Sequence, residues 1–229
     1  MKKTILISGA AGNLGKTVVQ KFLSEGHRVV AITCPGKQDD LKLNGDLHIV
    51  EADLSQEKSS EDLIKKVISD WQSIDAAVLL VGGYESGSIV ETDGAQLKKM
   101  YSLNFETSYF LARPAFIQMT RQKHGRIILI GARPALQPKD GKGSLAYALS
   151  KSLIFKLADL LNAEGASKNI LVSVVVPSTI DTPVNRKAMP GSDFSKWITP
   201  ESIADVISFA TSDASIPLRD SVFKVYGDS

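Results

Sequence analysis

The sequence predicts an α/β protein: a doubly wound parallel sheet of about seven strands, covered by helices on both faces. Three observations carry that expectation. Short β-branched runs alternate with longer amphipathic stretches along all 229 residues. Several runs are apolar on both faces, as strands covered on both sides must be. The first run leads directly into a glycine-rich turn that opens a helix.

In chain order, strands are expected at 4–8 ("TILIS"), 28–33 ("RVVAIT"), 47–52 ("LHIVEA"), 76–81 ("AAVLLV"), 126–130 ("RIILI"), 170–176 ("ILVSVVV") and 222–226 ("VFKVY"). Between them, helical periodicity covers 14–24, 60–71, 96–123 in two pieces, 145–166 and 201–211. The last helix has a clear start at Thr199-Pro200-Glu201. A capping hydroxyl is followed there by proline at the first helical position. No repeat, linker or low-complexity segment divides the chain, so one domain over residues 1–229 is expected. The long irregular piece is 177–198, rich in Pro, Ser, Asp and Asn. It follows a strand's carboxyl end, where such sheets bind ligands, and carries Phe194 and Trp197 as apolar anchors. A substrate loop is expected there rather than a disordered one.

Composition excludes several classes. With 43% apolar residues the chain can bury a full core, and its charge of +2 comes from interspersed signs. Neither a nucleic-acid surface nor an acidic tail is implied. Cys34 is the single cysteine, so no internal disulfide can form and a reducing compartment is expected. The opening "MKKTILISGAAG" stops its apolar run at Ile7, too soon for a signal h-region. No apolar run reaches membrane-spanning length, and the expected location is cytoplasmic. His27, His48 and His124 lie apart with no acid or thiol at ligand spacing, so no metal site is expected. No G-x-S-x-G elbow suggests a hydrolase.

The turn after the first strand reads "SGAAGNLG". Gly9 permits the tight bend, Gly12 lets backbone N–H groups reach a pyrophosphate, and Gly15 lets helix and strand pack closely. Ala11, Asn13 and Leu14 complete a predicted dinucleotide-binding turn. At the end of the second strand Thr33 and Cys34 stand where an NAD-preferring site carries an acid, with Lys37 and Lys16 nearby. NADPH is therefore favoured over NADH. Asp53 and Leu54 end the third strand at the expected adenine position, and Val81, Gly82 and Gly83 leave backbone room after the fourth.

The segments "SGAAGNLG", "ADL", "VGG", "SLNF", "GRIILI", "YALSK" and "VVVPSTIDTP" occur in this order. Together they resemble the short-chain dehydrogenase/reductase family over nearly the whole chain. One departure is mild: the family's main branch places its second glycine where Asn13 stands. The resemblance implies a Rossmann-type three-layer α/β/α fold and NAD(P)-dependent oxidoreduction. It implies Tyr147 as acid/base, Lys151 as its partner on the nicotinamide ribose, and Asn104 holding a relay water. Pro177, Ile180 and Thr182 would line the nicotinamide pocket. It also implies a homodimer, or a homotetramer, built on helices 103–123 and 145–166, where Ala146, Ala148 and Ala158 would allow close packing. The physics agrees with the catalytic pair: Tyr147 and Lys151 are i,i+4 neighbours, and an ammonium beside a phenol lowers its pKa from about 10.

One branch matches better. "DTPVNRKAMPGSDFSKW" followed by "TPE", with "VGGY" and "GARPAL", resembles quinonoid dihydropteridine reductases. Those carry Asp where Thr33 stands and use NADH, and they lack the asparagine found here at 104. The main branch has a substrate-binding serine after "GRI"; here that position falls on Ala132, Gly131 or Pro134, none a side-chain donor. For a simple ketone, a missing oxyanion donor lowers the rate about 10²–10³-fold. A pre-activated substrate is expected instead: a quinonoid dihydropterin or similar conjugated heterocycle. Tyr84 and Trp197 are candidate face contacts and Arg133 a polar one, while Ser144 sits before the helix rather than after the strand. Two alternatives stay open, a general NADPH carbonyl reductase and a non-catalytic NAD(P)-binding sensor.

Overall fold

The structure is a computed structural model and describes residues 1–219 and 221–227. Seven strands form one sheet in the order β3-β2-β1-β4-β5-β6-β7. They are β1 (Thr4–Ser8), β2 (Arg28–Thr33), β3 (Leu47–Glu51), β4 (Ala76–Leu79), β5 (Gly125–Ile130), β6 (Ile170–Pro177) and β7 (Val222–Val225). Every neighbouring pair is parallel, with registers such as Ile5 opposite both Val29 and Ala76. Strand order reverses between β1 and β4, and ligands of such sheets bind above the carboxyl ends at that switch.

Because strand side chains alternate, each strand feeds two cores. On one face Leu6, Val30, Leu79, Leu129 and Val174 pack with Leu63, Phe116 and Ile154. These come from α2 (Glu57–Trp71), α4 (Thr107–Gln122) and α7 (Leu145–Gly165). On the other face Ile5, Ile7, Val29, Val78 and Ile128 pack with Val18, Phe22, Ile203 and Ile207. Those helical residues belong to α1 (Asn13–Ser24) and α9 (Pro200–Thr211). The double coverage explains why the strands read as apolar on both faces.

The strand and helix expectations agree with these elements, and the differences have local causes. β4 stops at Leu79 rather than 81, because the chain turns into Gly82 and Gly83 and Leu80 N–H is taken by Ser8 Oγ (3.1 Å). The expected two pieces of 96–123 are one helical run. It comprises α3 (Gly94–Tyr101), capped by Asp93, then a π-helical turn over Ser102–Glu106, then α4. The segment 177–198 is not irregular throughout. It contains α8 (Pro183–Ala188) and is closed at its base by pairing of Ile180 with Ile198. Two further short helices, α5 (Arg133–Leu136) and α6 (Pro138–Gly141), lie between β5 and α7. Thr199 caps α9 by accepting from Ser202 N–H (3.2 Å), as its sequence indicates.

Among the described residues no helix is long and apolar enough to cross a membrane. Among them, too, no three His, Cys, Asp or Glu side chains group as metal ligands.

Candidate active site

The glycine turn has the geometry its residues demand. Gly9 has φ +64°, and a Cβ there would sit 3.3 Å from the Leu80 backbone. Gly12 N–H bonds to Gly9 O (3.0 Å). A side chain at Gly15 would drive into the Gly9 carbonyl, so only glycine lets α1 approach β1. No side chain among the described residues caps α1, whose first-turn N–H groups at Asn13 and Leu14 are therefore available to an anion. A cradle that any Cβ would fill, at a helix N-terminus over the switch point, fits a dinucleotide pyrophosphate.

The adenosine end corrects one sequence premise. Thr33 is 2% exposed, and its Oγ1 has no hydrogen-bond partner among the described residues. A carboxylate does stand here, supplied by the neighbouring strand. Glu51 lies opposite Thr33 in the β2–β3 register and accepts Gly36 N–H at 2.7 Å. It pins the exposed Cys34–Lys37 turn, whose Lys37 pairs loosely with Asp40 (3.9 Å). β-Strand order, invisible in one segment of sequence, brings that acid in. Asp53 accepts both the N–H and the hydroxyl of Ser55, which holds its carboxyl below the usual range. Leu54 belongs to the core.

Asn104, Tyr147 and Lys151 come together beneath the end of β4. The π turn places Asn104, fully buried, with Oδ1 accepting Gly83 N–H (2.9 Å) and Nδ2 donating to Gly83 O (3.0 Å). Nδ2 also donates to Ser150 Oγ (3.1 Å), whose hydroxyl donates to Tyr147 O (2.8 Å). The Asn104 side chain is thus a clamp between the β4 end and α7, and any water relay would have to use other atoms. Ser150, part of this chain, had no sequence signal beyond its place inside "YALSK". Gly82 is needed, since a Cβ would lie 2.7 Å from Asn104 Oδ1 and 3.2 Å from Lys151 Nζ. Val81 packs against the core beside it.

Lys151 is buried and donates to Ile130 O (2.8 Å); burial lowers its pKa to about 8. Tyr147 departs from expectation. Its phenol is pushed up to about 12 by burial, with a smaller contribution from the neighbouring Tyr84 phenol. The Lys151 ammonium is engaged by the Ile130 carbonyl, and desolvation of the phenol dominates.

The substrate side is mixed. Tyr84 is 66% exposed and meets the Tyr147 ring edge-on at 5.1 Å. Trp197 instead finds Phe194 (4.8 Å), over which Arg186 lies while chelating Asp181. Arg133 does not stand ready as a polar contact: it pairs with Asp140 (3.1 Å) and lies over the Tyr226 ring. Thr182 Oγ1 accepts Asn185 N–H and so caps α8, and Ile180 is held by its pairing with Ile198. Pro177 is the last residue of β6. At the serine position, Gly131 faces Phe155 and Val174 so closely that a side chain would collide. Ala132 is 4% exposed, and Ser144 is buried in a bridge with Gly87.

Comparison with known proteins gives the class. The short chain dehydrogenase family profile matches residues 3–193, and the chain belongs to that family of oxidoreductases. An acetoacetyl-CoA reductase from Acinetobacter sp. (strain RA3849) is 26% identical over 191 residues, covering 80% of this chain and 76% of that one. A dihydropteridine reductase from Dictyostelium discoideum is 27% identical over 229 residues, covering 98% and 94%. A solved short-chain dehydrogenase/reductase from Burkholderia xenovorans superposes with TM-score 0.90 at 23% identity, covering 98% and 95%. The structure of ElxO with NADP bound gives 0.87 at 22%, covering 99% and 98%. These structural likenesses establish the fold.

Proposed function

We propose that this protein is an NAD(P)H-dependent reductase of a conjugated C=N or C=O acceptor, with a quinonoid dihydropterin as the best-fitting substrate. One observation carries the reading: Tyr147 and Lys151 share a site whose strand-end segment, 131–134, offers no hydroxyl. Such a site handles an acceptor that is already activated better than a simple ketone.

When bound, the reduced dinucleotide supplies a hydride. Gly9, Ala11, Gly12, Asn13, Leu14 and Gly15 would hold its pyrophosphate, Asp53 and Leu54 its adenine, and Gly82, Gly83, Pro177, Ile180 and Thr182 its nicotinamide end. Lys151, which donates to Ile130 O, would bind the nicotinamide ribose hydroxyls. Tyr147 gives its proton to the acceptor heteroatom as the carbon is reduced. A Lys151 ammonium engaged there would lower the Tyr147 pKa toward working pH. Lys16 and Lys37 favour NADPH over NADH, against the opposing charge of Glu51. Two copies pack through α4 and α7, which leave Tyr109, Ile117, Leu149, Leu153 and Leu160 exposed. The exposed free thiol of Cys34 suits the cytoplasm.

Initial rates with quinonoid dihydropterin and with a β-ketoester, each with NADH and NADPH, test the proposal. Dihydropterin should be reduced with kcat/KM about 10²-fold above the ketoester, and Tyr147→Phe should lower it about 10²–10⁴-fold. Faster ketoester reduction would make this a general carbonyl reductase. Dinucleotide binding with no turnover, unaffected by Tyr147→Phe, would make it a sensor.

A further inference from the structure

Reduction of C=O or C=N builds negative charge on the heteroatom, and a hydrogen-bond donor beside the proton donor stabilises it. After β5 no side chain serves that need. Gly131 faces the core, Ala132 is apolar and buried, and Pro134 carries no donor. A second phenol, however, already stands against Tyr147. We propose that Tyr84 supplies the missing hydrogen bond, so that the site works with two tyrosines, one giving its proton and one keeping it.

The placement of Tyr84 supports this in three ways. Its ring meets Tyr147 at 5.1 Å with an interplanar angle of 72°, so the two aromatic side chains are in direct edge contact. It is 66% exposed, and no hydrogen bond to the described residues holds its hydroxyl, which is therefore free for a ligand. Its backbone, by contrast, is fixed on both sides. Asn104 clamps Gly83, Lys99 pairs with Glu85 (3.1 Å), and Gln96 holds Ser86 O (2.7 Å). Gly87 then bonds across to Gly143 and Leu145 at the start of α7 (2.9 and 2.8 Å). A large exposed aromatic on an anchored loop is pre-organised for contact rather than for packing.

The electron count is simple. Hydride forms a C–H bond at the acceptor carbon, the π pair moves onto the heteroatom, and that atom takes the Tyr147 proton. Tyr84 donates a hydrogen bond throughout and ends unchanged, while Tyr147 is reprotonated from solvent. The role differs from the face contact expected of Tyr84 because it needs the hydroxyl, not the ring. It rests on the reductase reading above.

Tyr84→Phe keeps the ring and removes the hydroxyl. It should lower kcat about 10²-fold with KM changed less than about twofold. Adding Ala132→Ser to that variant should recover about tenfold by restoring a donor nearby. A second readout needs no turnover. In a dinucleotide fluorescence titration, Tyr84→Phe should leave affinity within about twofold of wild type, which places the loss in the reacting step. Unchanged kcat, a loss confined to KM, or a matching loss of dinucleotide affinity each overturns the proposal. If wild type reduces the ketoester but not dihydropterin, the pterin reading fails, and the same comparison on the ketoester decides Tyr84. Turnover on neither acceptor overturns both.

Discussion

The two sides of the β1–β4 switch do their work with different atoms. On the dinucleotide side the working parts are backbone: the Gly9–Gly15 turn, uncapped N–H groups, and the Gly82–Gly83 end of β4. On the proposed substrate side they are side chains brought from distant segments: Tyr84, Asn104, Tyr147, Ser150 and Lys151. Backbone function requires glycine at fixed spacing, and glycine shows in a sequence. Side-chain function depends on which residues meet, and a sequence does not show that.

The largest expected effect lies on the backbone side. Gly15→Val forces a branched Cβ into the Gly9 carbonyl and should destabilise the fold by roughly 3 kcal/mol or more, abolishing dinucleotide binding. A Cβ at Gly143 meets nothing within 4 Å, so Gly143→Ala on the substrate side should change melting and affinity little. Equal effects of the two in thermal melts and dinucleotide titrations would break the contrast.

Asn104→Ala comes next and should affect both sides, because one side chain ties Gly83 to Ser150. Leaving those buried groups unpaired should cost about 1–3 kcal/mol in denaturant melts. Dinucleotide affinity and kcat should fall together. A loss confined to kcat would mean that Asn104 serves the substrate side alone.

Lys151 gives a smaller, pH-dependent signature. With a pKa of about 8, it loses its ammonium as pH rises through 8. Dinucleotide affinity should then fall by up to about tenfold between pH 7 and 9, and Lys151→Met should flatten the profile. Stability moves the other way. The unfolded chain keeps this lysine protonated up to its ordinary value of 10.5, so between about 8 and 10.5 it binds more protons than the folded chain. The Lys151 contribution to stability therefore rises with pH in that window. Tyr147 has the opposite sign: its raised pKa removes stability between 10.0 and about 12, where only the unfolded chain ionises.

Glu51→Gln should have the smallest effect. Glutamine can still accept Gly36 N–H, but the charge opposite Thr33 is gone. The NADPH/NADH ratio of kcat/KM should rise roughly three- to tenfold. No change would place the 2′ position away from Glu51 and return the choice to Lys16 and Lys37.

Much of the molecule was legible beforehand. Both faces of Val29–Ile32 are apolar because helices cover both, so strands, helices and sheet class could be read from the pattern. The i,i+4 spacing of Tyr147 and Lys151 is local, and so was visible. The π turn at Asn104 was not, because its i→i+5 bonding within an unbroken helical run is set by packing rather than by a local residue signal. Nor was the pairing of Arg133 with Asp140, or the burial that raises rather than lowers the Tyr147 pKa.

By itself the sequence determined the parallel doubly wound sheet, the glycine turn and the i,i+4 spacing of Tyr147 and Lys151, since each follows from short-range periodicity or backbone sterics. Only the tertiary structure decided that β3 sets Glu51 beside Thr33, that Asn104 bonds to backbone, and that Tyr84 faces Tyr147. The physical reason is common to all three. Strand order and loop anchoring join residues far apart in the chain, and the charge, burial and hydrogen bonding of each group depend on those neighbours.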